Sequence, residues 1–125
     1  MKKIITSKNA PAPIGPYSHA VLKGNTLFIS GQVAKHPHTG ELILSDIKLE
    51  TKQVMENIKN ILNDAGMDFS NVCKASIFMI DMKDFAMVNE VYGSYFTSDY
   101  PARETVQVSK LPLNVNVEIS VIAIL

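Results

Sequence analysis

One cysteine, Cys73, stands in 125 residues, so neither an internal disulfide nor a multi-cysteine zinc pattern can form. No charge is in excess: twelve basic residues balance twelve acidic ones. That excludes the broad positive field of a protein that grips nucleic acid through its phosphates. No apolar run approaches the roughly 18–20 residues of a membrane span. Met1-Lys2-Lys3 opens like a secretory signal, but only Ile4 and Ile5 follow before polar residues, too few for a hydrophobic region. A cytoplasmic location is therefore the expectation. The six glycines are scattered and build neither a GxGxxG fingerprint nor a GxxxxGK[ST] loop, so no cradle for a nucleotide cofactor is expected. Basic residues interleaved with aromatics, the mark of a single-strand binder, are also missing. Arginine is nearly absent: eleven of the twelve basic residues are lysine and one, Arg103, is arginine. Exposed positions tolerate either residue, whereas a site that needs a planar, bidentate, permanently charged fork tolerates only arginine.

What is present reads as a single domain, residues 1–125. A chain of this length buries roughly two thirds of its unfolded surface and needs no staples. The three prolines of Ala10-Pro11-Ala12-Pro13-Ile14-Gly15-Pro16 predict an extended lead-in to Tyr17. Strands are predicted at Tyr17–Leu22 and Thr26–Ser30, joined by the tight turn Lys23-Gly24-Asn25, with a small extra strand at Lys3–Thr6. Lys35 to Ser45 reads as loop, with a short extended piece at Leu42–Leu44. Val54, Ile58, Ile61, Leu62 and Ala65 fall on one helical stripe, predicting a helix over Lys48–Ala65 with Asp46 as N-cap and Gly66 as its stop. A strand is expected over Val72–Ile80. A second helix is expected over Asp81–Ser98, with the stripe Phe85, Val88, Tyr92, Tyr95 and Phe96, and Pro101 blocks its continuation. Strands at Glu104–Ser109 and Val115–Ile124 finish the chain.

The order β-β-α-β-α-β-β, with one apolar stripe per helix, predicts an α+β sandwich: a mixed sheet with two helices packed on one face. On the last strand Val115, Val117, Ile119, Val121 and Ala123 share one side, while Ile122 and Ile124 share the other with Asn116, Glu118 and Ser120. Neither side is polar throughout. With no third layer in the chain, a homo-oligomer is expected to cover the second face.

Chemistry-bearing residues are few. His36-Pro37-His38 has no third ligand at useful spacing for zinc and reads as a polar turn. Cys73 opens an apolar strand and reads as a structural thiol. Glu118 lies mid-strand between Val117 and Ile119, where a carboxylate either faces solvent or has a partner or a task. Ser30-Gly31-Gln32 ends the second strand. A glycine there permits close approach of a ligand to the backbone, or simply marks a bulge.

The segment Tyr100-Pro101-Ala102-Arg103-Glu104-Thr105-Val106-Gln107-Val108, followed by Lys110-Leu111-Pro112 and Val117-Glu118-Ile119, resembles the RidA family, also called YjgF or L-PSP. Ile14-Gly15-Pro16-Tyr17-Ser18, Phe28-Ile29-Ser30-Gly31-Gln32, Thr39-Gly40-Glu41, Gln53 through Asn57-Ile58, and Asp84-Phe85 with Val88-Asn89-Glu90-Val91-Tyr92 extend the likeness over nearly the whole chain. The resemblance implies a chorismate-mutase-like sandwich assembled as a homotrimer around a central barrel, with sites in the clefts between subunits. It further implies hydrolysis of reactive 2-imino acids (2-iminobutanoate and 2-iminopropanoate, from enamine products of PLP-dependent dehydratases) to 2-oxo acids and ammonia, without a cofactor or a metal. On the matching positions it implies Arg103 as carboxylate clamp, Glu118 as water activator, and Tyr17, Ser30, Gly31 and Asn89 as substrate contacts. Thr105 stands where several members carry cysteine, so any role for that thiol is replaced here by backbone and hydroxyl contacts.

The residues suit the chemistry. An iminium carbon is already electrophilic, so the enzyme must orient substrate, deliver water and protonate ammonia. Arginine holds a carboxylate by two parallel N–H···O bonds, which lysine does poorly. Two other readings compete. An endoribonuclease acting on single-stranded RNA is disfavoured by zero net charge and a single arginine. A non-catalytic small-carboxylate-binding module is disfavoured by Glu118, since binding an anion needs no carboxylate beside it. No membrane partner is expected, and nucleic acid is disfavoured as one.

Overall fold

A computed structural model describes all residues, 1–125. Eight principal elements follow one another: β1 (Lys2–Ile5), β2 (Ala20–Lys23), β3 (Thr26–Gln32), α1 (Ile47–Asp64), β4 (Val72–Met79), α2 (Phe85–Gly93), β5 (Ala102–Gln107) and β6 (Val117–Ile124). The strands form one sheet in the order β1-β2-β3-β6-β4-β5. Every neighbouring pair is antiparallel except β4 and β5. The predicted α+β architecture, a mixed sheet with two helices on one face, is the observed one.

Alternation along the strands decides which face the helices cover. Val117, Ile119, Val121 and Ala123 of β6 are buried, as are Ala75, Ile77 and Met79 of β4 and Leu27 and Ile29 of β3. Against them α1 lays Val54, Met55, Ile58, Ile61 and Leu62, and α2 adds Val88 and Tyr92. Each Val, Leu, Ile or Met among them contributes about 1.5–3 kcal/mol by leaving water. The other face carries Phe28, Val106 and Ile124 in the open, the uncovered apolar surface expected from β6.

Local chemistry sets the element ends. Asp46 Oδ1 accepts the N–H groups of Lys48 (2.7 Å) and Leu49 (3.2 Å), starting α1 as predicted, and Gly66 past its end sits at φ +74°, where a side chain is strained. The second helix is shorter than its stripe predicted. Residues Met82–Asp84 form a separate 3₁₀ turn begun by the Asp81 side chain, and after Gly93 the Ser94 hydroxyl donates to Val91 O and the chain leaves the helix. Tyr95 and Phe96 still pack on the core from the following turn. The small strand lies at Lys2–Ile5, one residue earlier than predicted, where it pairs with β2 in register Lys2↔Lys23. Leu42 makes only an isolated bridge with Lys35.

Three further strands start away from their predicted positions. β2 begins at Ala20 rather than Tyr17, because the β3–β6 register slips between Ile29 and Gln32 and the Ser30 hydroxyl donates to Ser18 O (2.5 Å), turning residues 17–19 off the ladder. β5 begins at Ala102, right after Pro101, because its parallel pairing with β4 starts at Lys74↔Ala102. β6 begins at Val117 rather than Val115, because the fully buried Glu50 carboxylate accepts Asn116 N–H (2.8 Å), Val117 N–H (3.2 Å) and the Asn116 side-chain amide (2.8 Å). Cys73 corrects a further expectation: it is exposed, not structural, since the β4–β6 register shift between Val72 and Lys74 turns it from the core.

Candidate active site

Arg103 stands on the edge strand β5, on the face that meets α2. Its Nη1 donates to Asn89 Oδ1 at 2.6 Å. Its guanidinium carbon lies 5.1 Å from the ring centre of Tyr92 and 5.7 Å from that of Phe85. Phe85, Asn89 and Tyr92 recur at helical spacing, so one face of α2 supplies two aromatic faces and one acceptor. The fork is thus set before any ligand arrives, with donors left over for an anion. Arg103, Asn89 and Tyr92 border a cavity of about 620 Å³ completed by Glu90, Gly93, Tyr100 and Pro101. Burial pushes the Tyr92 phenol above its ordinary value, opposed by Arg103.

Glu118 stands on the opposite face of the sheet. Its carboxylate lies over the backbone of Gly31, so close that a Cβ built there would be 2.6 Å from Glu118 Oε2. No side chain at 31 is compatible with that carboxylate position; this is what the glycine is for. Together with Ile14, Tyr17, Ser30, Val33, Pro112 and Leu113 they line a cavity of about 430 Å³. Burial raises the Glu118 carboxyl above its ordinary value of 4.5, which brings it closer to use as a base at neutral pH.

The residues singled out from the sequence thus fall into two groups. Arg103 and Asn89 meet in the first cavity; Tyr17, Ser30, Gly31 and Glu118 meet in the second. One protomer does not bring the groups together. Ala75 pairs with Arg103 and Phe78 with Glu118, which puts two strand spacings and three residues between them, roughly 14 Å, besides the thickness of the sheet. Thr105 reaches neither cavity: its hydroxyl is buried without a partner on the strand that carries Arg103. His36 takes no part, its Nδ1 accepting the N–H groups of His38 and Thr39 in a surface turn as read from the sequence.

Sequence reading missed several supports. Phe85 and Tyr92 were assigned to the core stripe alone, although their spacing around Asn89 was the available signal. Buried His19 accepts Ser7 N–H at Nδ1 (2.9 Å), which leaves Nε2 to donate to Pro11 O (2.5 Å). This ties the proline segment, including Ile14, beside Tyr17. Asn57 reaches from α1 to Val33 O and Lys35 O, both at 3.1 Å, holding the chain beyond Gly31. No local pattern announces either contact.

The model of the family described as Endoribonuclease L-PSP matches residues 7–125. A RutC family protein of Pyrococcus horikoshii is 52% identical over 123 residues, covering 98% of each chain. The 2-iminobutanoate/2-iminopropanoate deaminase of Bos taurus is 48% identical over 124 residues, 99% of this chain and 90% of the relative. The crystal structure of Escherichia coli TdcF with bound serine superposes with a TM-score of 0.95 at 40% identity, covering 98% of each chain.

Proposed function

We propose that this chain, which belongs to the endoribonuclease L-PSP family (the RidA/YjgF family), hydrolyses 2-imino acids to 2-oxo acids and ammonia in a site shared between two copies. The observation that carries the reading is the pairing of a pre-set arginine fork with a half-buried carboxylate of raised pKa, each in its own open cavity. The deaminase name of the bovine relative and the serine bound to TdcF, itself a small amino acid carboxylate, support it.

Arg103 takes the substrate carboxylate through its free N–H groups while Asn89 and the two rings hold its plane. Glu118 of a neighbouring copy orients water beside the backbone of Gly31. As the C–O bond forms at the imine carbon, Glu118 accepts the water proton. The proton then passes to nitrogen, and the hydroxyl gives its own proton back to Glu118 as the C–N bond breaks, the C=O bond forms and ammonia leaves. No side-chain nucleophile and no metal enters. The site faces of Arg103 and Glu118 belong to opposite sides of the sheet, so assembly completes the site. A trimer of about 41 kDa, three times the 13.8 kDa of one chain, covers the exposed face bearing Phe28, Val106 and Ile124. Cleavage of RNA would call for an acid–base pair about the scissile phosphate and further cations for the backbone. The lining of the two cavities holds one cation, Arg103.

The test feeds the product of a threonine dehydratase to wild type, Arg103→Lys and Arg103→Ala, following 2-oxobutanoate release, with light scattering for assembly. Wild type should accelerate release. Both variants should fall nearly together, by about 2–5 kcal/mol, roughly 30-fold to several thousand-fold in kcat/KM, because lysine cannot replace two parallel donors. Near-normal turnover by the lysine variant would remove the clamp. An inactive wild-type trimer would remove the deaminase reading.

A further inference from the structure

Leu113 occupies a position that neither of the usual reasons for a leucine explains. It lies in the turn Pro112–Asn114, at φ 59° and ψ 16°, in the left-handed region that bulky side chains avoid. Asn114 follows at φ 55°, a conformation asparagine tolerates but leucine does not favour. The side chain is not sunk in the core either: Leu113 is 43% exposed, while Leu111 and Val115 on either side are buried. Strain of this kind persists only where the surroundings impose it, and here they do. Leu111 anchors the turn before it, Val115 after it, and Glu50 grips the backbone N–H groups of Asn116 and Val117. The consequence is that Leu113 borders the cavity of Glu118, facing the space shared with Ile14, Tyr17 and Val33.

We infer that Leu113 is a specificity-determining residue: with Ile14 and Val33 it forms an apolar collar that receives an aliphatic substrate side chain beside Glu118. This inference rests on the deaminase reading and adds the class of substrate, 2-imino acids with branched or extended hydrocarbon side chains over the smallest ones. The side chains of Leu113, Ile14 and Val33 themselves offer no donor and no cation to a polar or acidic side chain. An unpaired polar group placed there would lose its water without replacement.

The experiment compares wild type, Leu113→Gly and Leu113→Asn on two imines made in situ by an amino acid oxidase, one with an isobutyl side chain and one with a methyl. Glycine and asparagine both suit a positive φ, so both variants should fold with a Tm no lower than wild type, and assembly by light scattering should be unchanged. The ratio of kcat/KM for isobutyl over methyl should fall about tenfold in each variant. An unchanged ratio overturns the inference, and so does a loss of assembly without a change of ratio. If wild type hydrolyses neither imine, the deaminase reading fails separately. Calorimetric binding of 4-methyl-2-oxopentanoate against pyruvate then reads the collar: the same fall in ratio supports it, and equal ratios in all three proteins reject it.

Discussion

Glu118 keeps its place because Gly31 has nothing to put there. A carboxylate over a bulged backbone, half removed from water, holds its proton more tightly than an ordinary glutamate. Its protonated form is therefore favoured by folding, and the sign of the pH effect follows. In the window between the ordinary value of 4.5 and the raised folded value, the native state binds more protons than the unfolded chain, so stability falls as pH rises. Above the raised value the cost is fully present. Glu118→Gln should accordingly raise the urea midpoint at pH 7, with the gain shrinking toward pH 4. The same substitution should lower kcat by about 10² while leaving 2-oxo acid binding intact, because an amide orients water yet cannot take its proton. In wild type, log kcat/KM should climb with unit slope at acid pH and level off above the raised value. A kcat within twofold of wild type would remove the base. The residue stood out as a candidate in the sequence because it is a mid-strand carboxylate on a face that Ile122 and Ile124 make partly apolar. Arg103 was legible for a different reason, its solitude among eleven lysines.

Elements were legible where neighbours in sequence are also neighbours in space. The stripe of α1 and the cap at Asp46 depend on residues two to four apart, and both were legible. The starts of β2, β5 and β6 were not, because each is set by a distant partner. Glu50 decides where β6 begins across 66 residues, and the bulge at Ser30–Gly31 decides where β2 begins. Nothing near Val115 in sequence could announce a carboxylate from α1. Glu50 is also the stricter dependency, being fully buried with three N–H groups directed at it. Glu50→Ala would strand those donors, each at about 1–3 kcal/mol, so a loss of about 3 kcal/mol or more in urea unfolding is expected. A loss under about 1 kcal/mol would show that the start of β6 is held by other means.

For the molecule as a whole, the decisive fact is that Arg103 and Glu118 lie on opposite faces of one sheet. Mixing Arg103→Ala copies with Glu118→Gln copies, each inactive alone, should restore activity once subunits exchange. In a random equimolar trimer about a quarter of the sites combine an intact arginine with an intact glutamate. Recovery near that fraction, read by the dehydratase-coupled assay after reversible dissociation, supports the shared site; no recovery in verified mixed trimers would place both residues in a single-chain site instead. The same division couples chemistry to abundance. If Arg103 and Glu118 meet between three copies as proposed, a lone chain completes no site, and below the concentration at which the copies assemble activity follows the cube of copy number. Halving expression in that range would cost about eightfold in capacity, and the gene would act with a dosage threshold where a one-chain enzyme would scale in proportion.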